Sequence, residues 1–483
     1  MRIAMITDSY YPTKDGVVTS VSIAKRTLEK RGHEVFIVAP DPGEKDRLEG
    51  VIYIKSIRFK SYDGYFIPIM PSRALRKLEK LRIDIIHIHG VAVMALRGLL
   101  YSRQLGIPSV MTFHTMVGDV LDFYCPVKLD IGFVKKCAWK YIRAIVKRTD
   151  ALIVPSPSIE KELLSLTSPK RTEIIPTGTD VGRFHPGVDG SAFRKEHGLE
   201  GKVVASVGRL SYEKNIDMVI RAMKDVDAML LIVGDGPAGP DLKNLSKELG
   251  MEDKVVFTGY IENQNVVYAY AASDMLVSAS RFETQGLSVL EAMASGLPVA
   301  CCDARAFHDI IRDGENGFLF SGEEDCADAI KRCLDASEEV RRNSLATALD
   351  NSEDKTAERL EKLYSELIEA RRKRDGRGIR FHLWAVRRLR RRGLADLRVP
   401  DFPHRRVDIP RPPRIVLHRR LRLQSDPVIW GAADSHGHSR RAGRCFLAVF
   451  HRQTHPRPQE NQIGGRQIRG FLGGQRRKDA AGQ

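Results

Sequence analysis

The chain has 483 residues, enough for two or three domains, and a formal net charge of +17. That charge is concentrated: residues 371–483 hold 29 Lys and Arg against 8 Asp and Glu, which leaves a net of −4 for residues 1–370. A mildly acidic main body gives no reason to expect nucleic acid as a partner, and the lack of any run of 18 apolar residues excludes a membrane-spanning helix.

The first predicted strand is RIAMIT (2–7), and Arg2 and Asp8 sit too close together to leave a signal-peptide core. Apolar runs follow at 34–39, 83–89, 109–114 and 151–156, separated by helical stretches. Strand and helix in alternation predict a parallel sheet covered on both faces. His87 and His89 alternate at one strand end, where packing is a better reading than metal ligation because no carboxylates accompany them. His114 ends the strand at 109–114, where α/β folds present chemistry; a histidine bonded to nearby backbone is the plainer alternative. Two basic stripes have helical spacing: Arg73, Arg76, Lys77 and Lys80, then Lys136, Lys140, Arg143 and Lys147 opposite Phe133, Trp139 and Ile142. They suit an anionic membrane surface, with the apolar loops 61–71 and 116–127 available to acyl chains, or they are ordinary amphipathic helices on a sheet.

A second series of strands is expected at 202–207, 228–233, 254–259, 274–280 and 296–302. Two Rossmann-like halves follow, 1–177 and 178–351, with a cleft between them at the carboxyl ends of the strands. After the strand at 202–207, GRLSYEKN opens a helix; Arg209 can fork onto a diphosphate and Lys214 supplies a point charge, unless they form a simple Lys–Glu surface turn. Within RFETQGLSVLE (281–291), Glu283 and Glu291 flank Gly286 and Leu287, and the following residues read as a helix stopped by Gly296. Free N–H groups at that helix start bind phosphate, and the carboxylates can accept from sugar hydroxyls. The plainer alternative has Glu283 capping the helix and Glu291 solvated. GDGPAG (234–239) fits a dinucleotide pattern, but Pro237 and Pro240 argue against it; Asp225 and Asp227 imitate a metal site just before a buried strand.

The seven cysteines form no CxxC pair and no zinc spacing, which suits a reducing compartment. From residue 371 onward Arg outnumbers Lys 27 to 2, against 24 to 25 before it. This is the composition of out-of-frame translation rather than of a selected RNA- or membrane-binding extension. The segment 373–483 is therefore expected to be disordered and without function.

PTKDGVVTSV (12–21), TFHT (112–115), PSPS (155–158), IPTGTDVGRFHP (175–186) and VGDGP (233–237) occur in one order with GRLSYEKN and ETQGLSVLEAMASGLPV. Together they resemble the family 4 retaining glycosyltransferases of the GT-B fold over roughly residues 1–370, most nearly the diacylglycerol glucosyltransferases and phosphatidylinositol mannosyltransferases. A single glycine, Gly16, stands where many members have two, and Gln285 replaces a frequent aromatic residue. The resemblance implies that a helix at 352–372 returns to the first domain. It implies transfer of a hexose from a donor such as UDP-glucose or GDP-mannose, with retention; the cationic side chains and helix dipoles already serve the diphosphate, so no metal is expected. His114 and Glu283 would act on the transferring sugar. Gly16, Arg209, Lys214, Gly286 and Leu287 would meet the donor phosphates, and Glu291 the ribose. A membrane lipid on the inner, cytoplasmic face is the expected acceptor. A soluble or polysaccharide acceptor, or a non-catalytic nucleotide-sugar-binding protein, are the alternatives.

Overall fold

The computed structural model describes residues 1–13, 15–58, 66–69, 74–114, 116 and 131–391. Its first half contains β1 (Arg2–Thr7), β2 (Glu34–Pro40), β3 (Val51–Ile54), β4 (Ser56–Arg58), β5 (Phe66–Pro68), β6 (Ile85–His89), β7 (Ser109–Thr112), β8 (Ala151–Val154) and β9 (Thr172–Ile174). Seven of these make one parallel sheet in the order β3-β2-β1-β6-β7-β8-β9, while β4 and β5 pair as a short antiparallel ribbon. The second half contains β10 (Val203–Val207), β11 (Met229–Val233), β12 (Val255–Gly259), β13 (Met275–Ser278), β14 (Val299–Cys302) and β15 (Phe318–Phe320), parallel in the order β12-β11-β10-β13-β14-β15. Strand order reverses between β1 and β6 and again between β10 and β13. These are the points where open α/β sheets leave a crevice for ligands.

Both faces of each sheet are apolar because both are covered by helices. On one face of the first sheet Ala4, Ile6, Ile86, Ile88 and Met111 join a buried cluster with Met94 and Leu152. On the other, Ile3, Met5, Val18, Val21 and Leu28 pack with Leu360, Leu363, Tyr364 and Leu367 of the closing helix Glu353–Arg391. The chain thus crosses back to the first sheet. Ion pairs fix the crossing: Arg26 bonds Glu353, Arg31 reaches Glu361 at 2.8 Å and Arg171 reaches Glu366 at 2.6 Å.

Two expectations need correction. The closing helix does not stop at 372 but runs to Arg391, so the first part of the segment expected to be disordered is helical. The physical reason is local: 373–391 carries seven Arg, a good helix former, and no proline, the next being Pro400. Phe133 does not lie on the buried side of the helix Ile131–Val146. It is 57% exposed, while Ala138, Ile142 and Ile145 are buried and Trp139 packs partly against the core. At i, i+3 and i+7, Phe133 shares a face with Lys136 and Lys140, both exposed. Arg76, Lys77 and Lys80 are exposed too, whereas Arg73 and most of the two apolar loops lie outside the described residues.

Candidate functional site

The phosphate-type elements of the second half meet in space. Past β10 the chain turns through Gly208, leaves Arg209 exposed, and makes the single 3-10 turn Tyr212–Lys214. Asn215 adopts a left-handed conformation (φ 48°) and its side-chain amide donates to the Ala279 carbonyl at 3.1 Å, which ties this turn to the end of β13. The Lys214 ammonium bonds the Glu283 carboxylate directly. Glu283 is therefore not a helix cap. The helix Leu287–Ala294 begins after Gly286 and has no side-chain cap, so its first amides remain donors with the dipole behind them. Gly286 is required twice over. Its φ is 79°, and a Cβ would lie 2.4 Å from Phe307 Cε1.

Glu291 sits on the second turn of that helix, half-buried and accepting from the Tyr270 hydroxyl at 2.8 Å. Desolvation pushes its carboxyl up to about 7, against the downward pull of the Tyr270 bond and of Arg183. The GDGPAG segment serves packing: a Cβ on Gly234 would lie 1.9 Å from the Gly208 carbonyl oxygen, so Gly234 lets the two strand-end loops touch. Gly16 follows the first strand-to-helix loop of the first half. It begins the helix Gly16–Lys30 behind the Asp15 cap with ordinary backbone geometry, and a Cβ there would meet nothing within 4 Å. No conformational demand selects glycine at that position; the space in front of it is open.

The sheet register brings three histidines together in the first half. Thr7 pairs with His89 and His89 with Thr112, so His89 and His114 emerge side by side. His89 Nδ1 lies 3.0 Å from His114 Nε2, with the rings 17° from parallel. Behind them His87 Nε2 lies 2.6 Å from Thr112 Oγ1, and His87 Nδ1 lies 2.6 Å from the Tyr364 hydroxyl of the closing helix. Burial lowers all three imidazoles, His87 to about 3 and His114 to about 4, so they are neutral. Among the described residues no group of three or more His, Cys, Asp or Glu side chains is arranged to hold a metal ion.

Hydrogen bonds close the cleft between the halves. Thr284, next to Glu283, donates to the His114 carbonyl at 2.9 Å. Gln285 pairs with the backbone of Thr177 through both ends of its amide, accepting from the N–H at 2.7 Å and donating to the carbonyl at 2.6 Å. On a second edge Asp309 accepts from the Ser158 N–H and hydroxyl, each at 2.8 Å. Thr284 thus sets Glu283, its Lys214 partner and the start of the Leu287 helix next to the backbone of His114.

Four residues of this site were not read from the sequence as site residues: Tyr270, Arg183, Thr284 and Asp8. Asp8 is buried at the end of β1, where it accepts from the Ala92 and Met94 amides at 2.8 and 2.9 Å, and burial pushes its carboxyl to about 6. Its position at a strand end beside the His87–His89 pair was the one available signal. Tyr270 and Thr284 left none, since their partners are remote in sequence.

The sequence profile described as Glycosyltransferase Family 4 matches residues 14–183, and that described as Glycosyl transferases group 1 matches residues 190–348. The chain is 34% identical over 385 residues to an alpha-monoglucosyldiacylglycerol synthase of Streptococcus pneumoniae, covering 76% of this chain and 86% of the relative. It is 30% identical over 402 residues to the synthase of that name from Acholeplasma laidlawii, covering 77% and 99%. A GDP-mannose-dependent alpha-mannosyltransferase of Mycobacterium tuberculosis is 31% identical over 328 residues, covering 66% and 83%. Among solved structures, sucrose-phosphate synthase from Thermosynechococcus elongatus has the same fold at a TM-score of 0.63 and 21% identity, covering 76% of this chain and 99% of that one. Anabaena HepE in complex with UDP has a TM-score of 0.62 at 18% identity, covering 76% and 100%.

Proposed function

Because the chain belongs to the family 4 glycosyltransferases of the GT-B fold, we propose that it moves a hexose from a nucleoside diphosphate sugar to a hydroxyl of a membrane lipid, retaining the anomeric configuration. The observation that carries this reading is the Lys214–Glu283 pair beside the uncapped helix start, with His114 held across the cleft through Thr284. As the anomeric C–O bond to the diphosphate breaks, negative charge grows on the leaving oxygen. Arg209, Lys214 and the amides that open the Leu287 helix are placed to stabilise it. Glu283, oriented by Lys214, accepts from hexose hydroxyls, Glu291 holds the ribose and His114 contacts the sugar. The acceptor oxygen attacks from the face the diphosphate leaves, and the departing phosphate oxygen takes its proton. The positive charge needed by the diphosphate comes from side chains and helix dipole, so no metal is assigned a step.

A lipid acceptor is supported by two observations. The exposed cations Lys136, Lys140 and Arg143 share the helix Ile131–Val146 with the exposed Phe133, and the exposed Lys147 follows it, an arrangement suited to the headgroup region of an anionic bilayer. Two relatives are named for synthesis of alpha-monoglucosyldiacylglycerol, a glycolipid. We place the attachment peripherally, on the cytoplasmic face; among the described residues no helix is long and apolar enough to cross a membrane.

The test is incubation with radiolabelled UDP-glucose, GDP-mannose and other nucleotide sugars, with vesicles containing diacylglycerol or phosphatidylinositol. Label in the organic phase, in a product with the donor's anomeric configuration, is expected. Label confined to water-soluble or polysaccharide acceptors, or an inverted product, overturns the lipid or the retaining part of the reading respectively.

A further inference from the structure

The His89–His114 contact carries a consequence for the chemistry His114 can offer. Both rings are neutral, so one proton occupies the 3.0 Å gap between His89 Nδ1 and His114 Nε2. If His114 donated it, His89 would carry its own proton on Nε2. That atom is buried and has no hydrogen-bond partner among the described residues. An orphaned buried N–H is rarer and costlier than an under-used lone pair. The opposite arrangement leaves His89 Nε2 as a bare acceptor beside a small cavity that it lines with Ser20, Thr112 and Thr177.

We infer that His89 is a positioning residue that donates from Nδ1 to His114 Nε2 and so fixes His114 as the Nδ1–H tautomer, a hydrogen-bond donor to an oxygen of the transferring sugar. This rests on the proposed function for the sugar, but the tautomer itself does not. In this state His114 has no free lone pair on its imidazole. It can orient the hexose or stabilise negative charge, and it cannot remove the acceptor proton. Closing-helix packing holds the donor in place, because His87, bonded to Tyr364, lies against His89 with ring centroids 3.9 Å apart and the rings tilted by 40°.

The experiment is nitrogen-15 NMR of histidine-labelled full-length protein, reading which imidazole nitrogens carry protons, with kinetics of two variants. In the wild type, His114 Nδ1 is expected to be protonated and Nε2 bare. His89→Asn keeps an amide donor near the Nδ1 position and is expected to keep that tautomer and kcat within about threefold. His89→Phe removes the donor; a protonated Nε2 on His114 and a fall in kcat of about tenfold or more, with donor KM nearly unchanged, are expected. A protonated His114 Nε2 in the wild type overturns the inference even if His89→Phe does not fold. Equal kcat in wild type and a folded His89→Phe overturns the positioning role. The expected tautomer in a protein that transfers no sugar would leave the inference standing and sink the proposed function instead.

Discussion

The hydroxyl of Thr284 donates to the main-chain carbonyl of His114 at 2.9 Å, across 170 residues of sequence. One neighbour of Thr284 is Glu283, bonded to Lys214, and the other is Gln285, clamped to Thr177. A three-residue segment therefore touches the first sheet, the linker and the phosphate-type turn at once. Replacing Thr284 with Val removes the donor while nearly keeping shape. It is expected to lower kcat by about five- to thirty-fold, roughly 1–2 kcal/mol in the transition state, with little change in thermal stability. Unchanged kinetics in Thr284→Val would show that the contact does not align the two halves.

Removing the cations should separate them from their surroundings. Lys214→Ala and Arg209→Ala are each expected to raise donor KM and lower kcat, with the larger effect about 2–4 kcal/mol. Lys214→Ala also leaves Glu283 without its ion-pair partner, so it should be the more damaging of the two. Steady-state kinetics with the preferred donor decide this; wild-type constants in both variants remove these residues from the donor site.

Activity should survive metal-free purification and excess EDTA, since the proposed site meets the diphosphate with Arg209, Lys214 and the Leu287 helix start. A loss of more than about tenfold that Mg²⁺ or Mn²⁺ restores would place a cation in the mechanism.

Stability should respond to pH through Glu291. Burial raises its carboxyl from 4.5 to about 7, so the folded state holds a proton that the unfolded chain releases earlier. The contribution of the protonated form is fully present below about pH 4.5 and is lost as pH rises through about 7, a change of roughly 3 kcal/mol. Glu291→Gln cannot ionise and should flatten the fall over that window, apart from the similar share from Asp8. Chemical denaturation at pH 5 and pH 7.5 measures it, and identical slopes in wild type and variant would refute the assignment.

Gly286→Ala combines a strained φ with a 2.4 Å approach to the buried ring of Phe307. A loss of about 2–4 kcal/mol in unfolding free energy is expected. Because the same turn opens the Leu287 helix, donor affinity should fall in whatever fraction remains folded.

Both sheets were legible because their central strands are apolar runs long enough to stand apart from the helices around them. β4, β5, β9 and β15 are three residues each, too short to show a period, and all four lie at an edge or outside the main sheets. Glu283, Glu291, Arg209 and Lys214 could be singled out because their loops carry a local pattern of glycine, charge and helix start. The direct pairing of Lys214 with Glu283 could not, since it depends on β10 and β13 lying side by side. Gln285 looked like a mere departure from a family pattern. Its reason is Thr177, 108 positions away, whose backbone amide and carbonyl its side chain satisfies together. Phe133 was misread because a helical stripe fixes relative faces but not which face meets the sheet.

The return of the closing helix also sets an order of events during synthesis. Ile3, Met5, Val18 and Leu28 reach their final packing only against Leu360, Leu363, Tyr364 and Leu367. The ribosome delivers those partners after every strand of the second sheet, the last of which ends at Phe320. The part of the protein made first is thus finished last, and a nascent chain halted anywhere between 178 and 352 presents an apolar face of its first sheet that the helix Gly16–Lys30 covers only in part. Chains released early should be captured by chaperones through that face, and the second half, whose own sheet closes within 203–320, should resist proteolysis sooner than the half that preceded it.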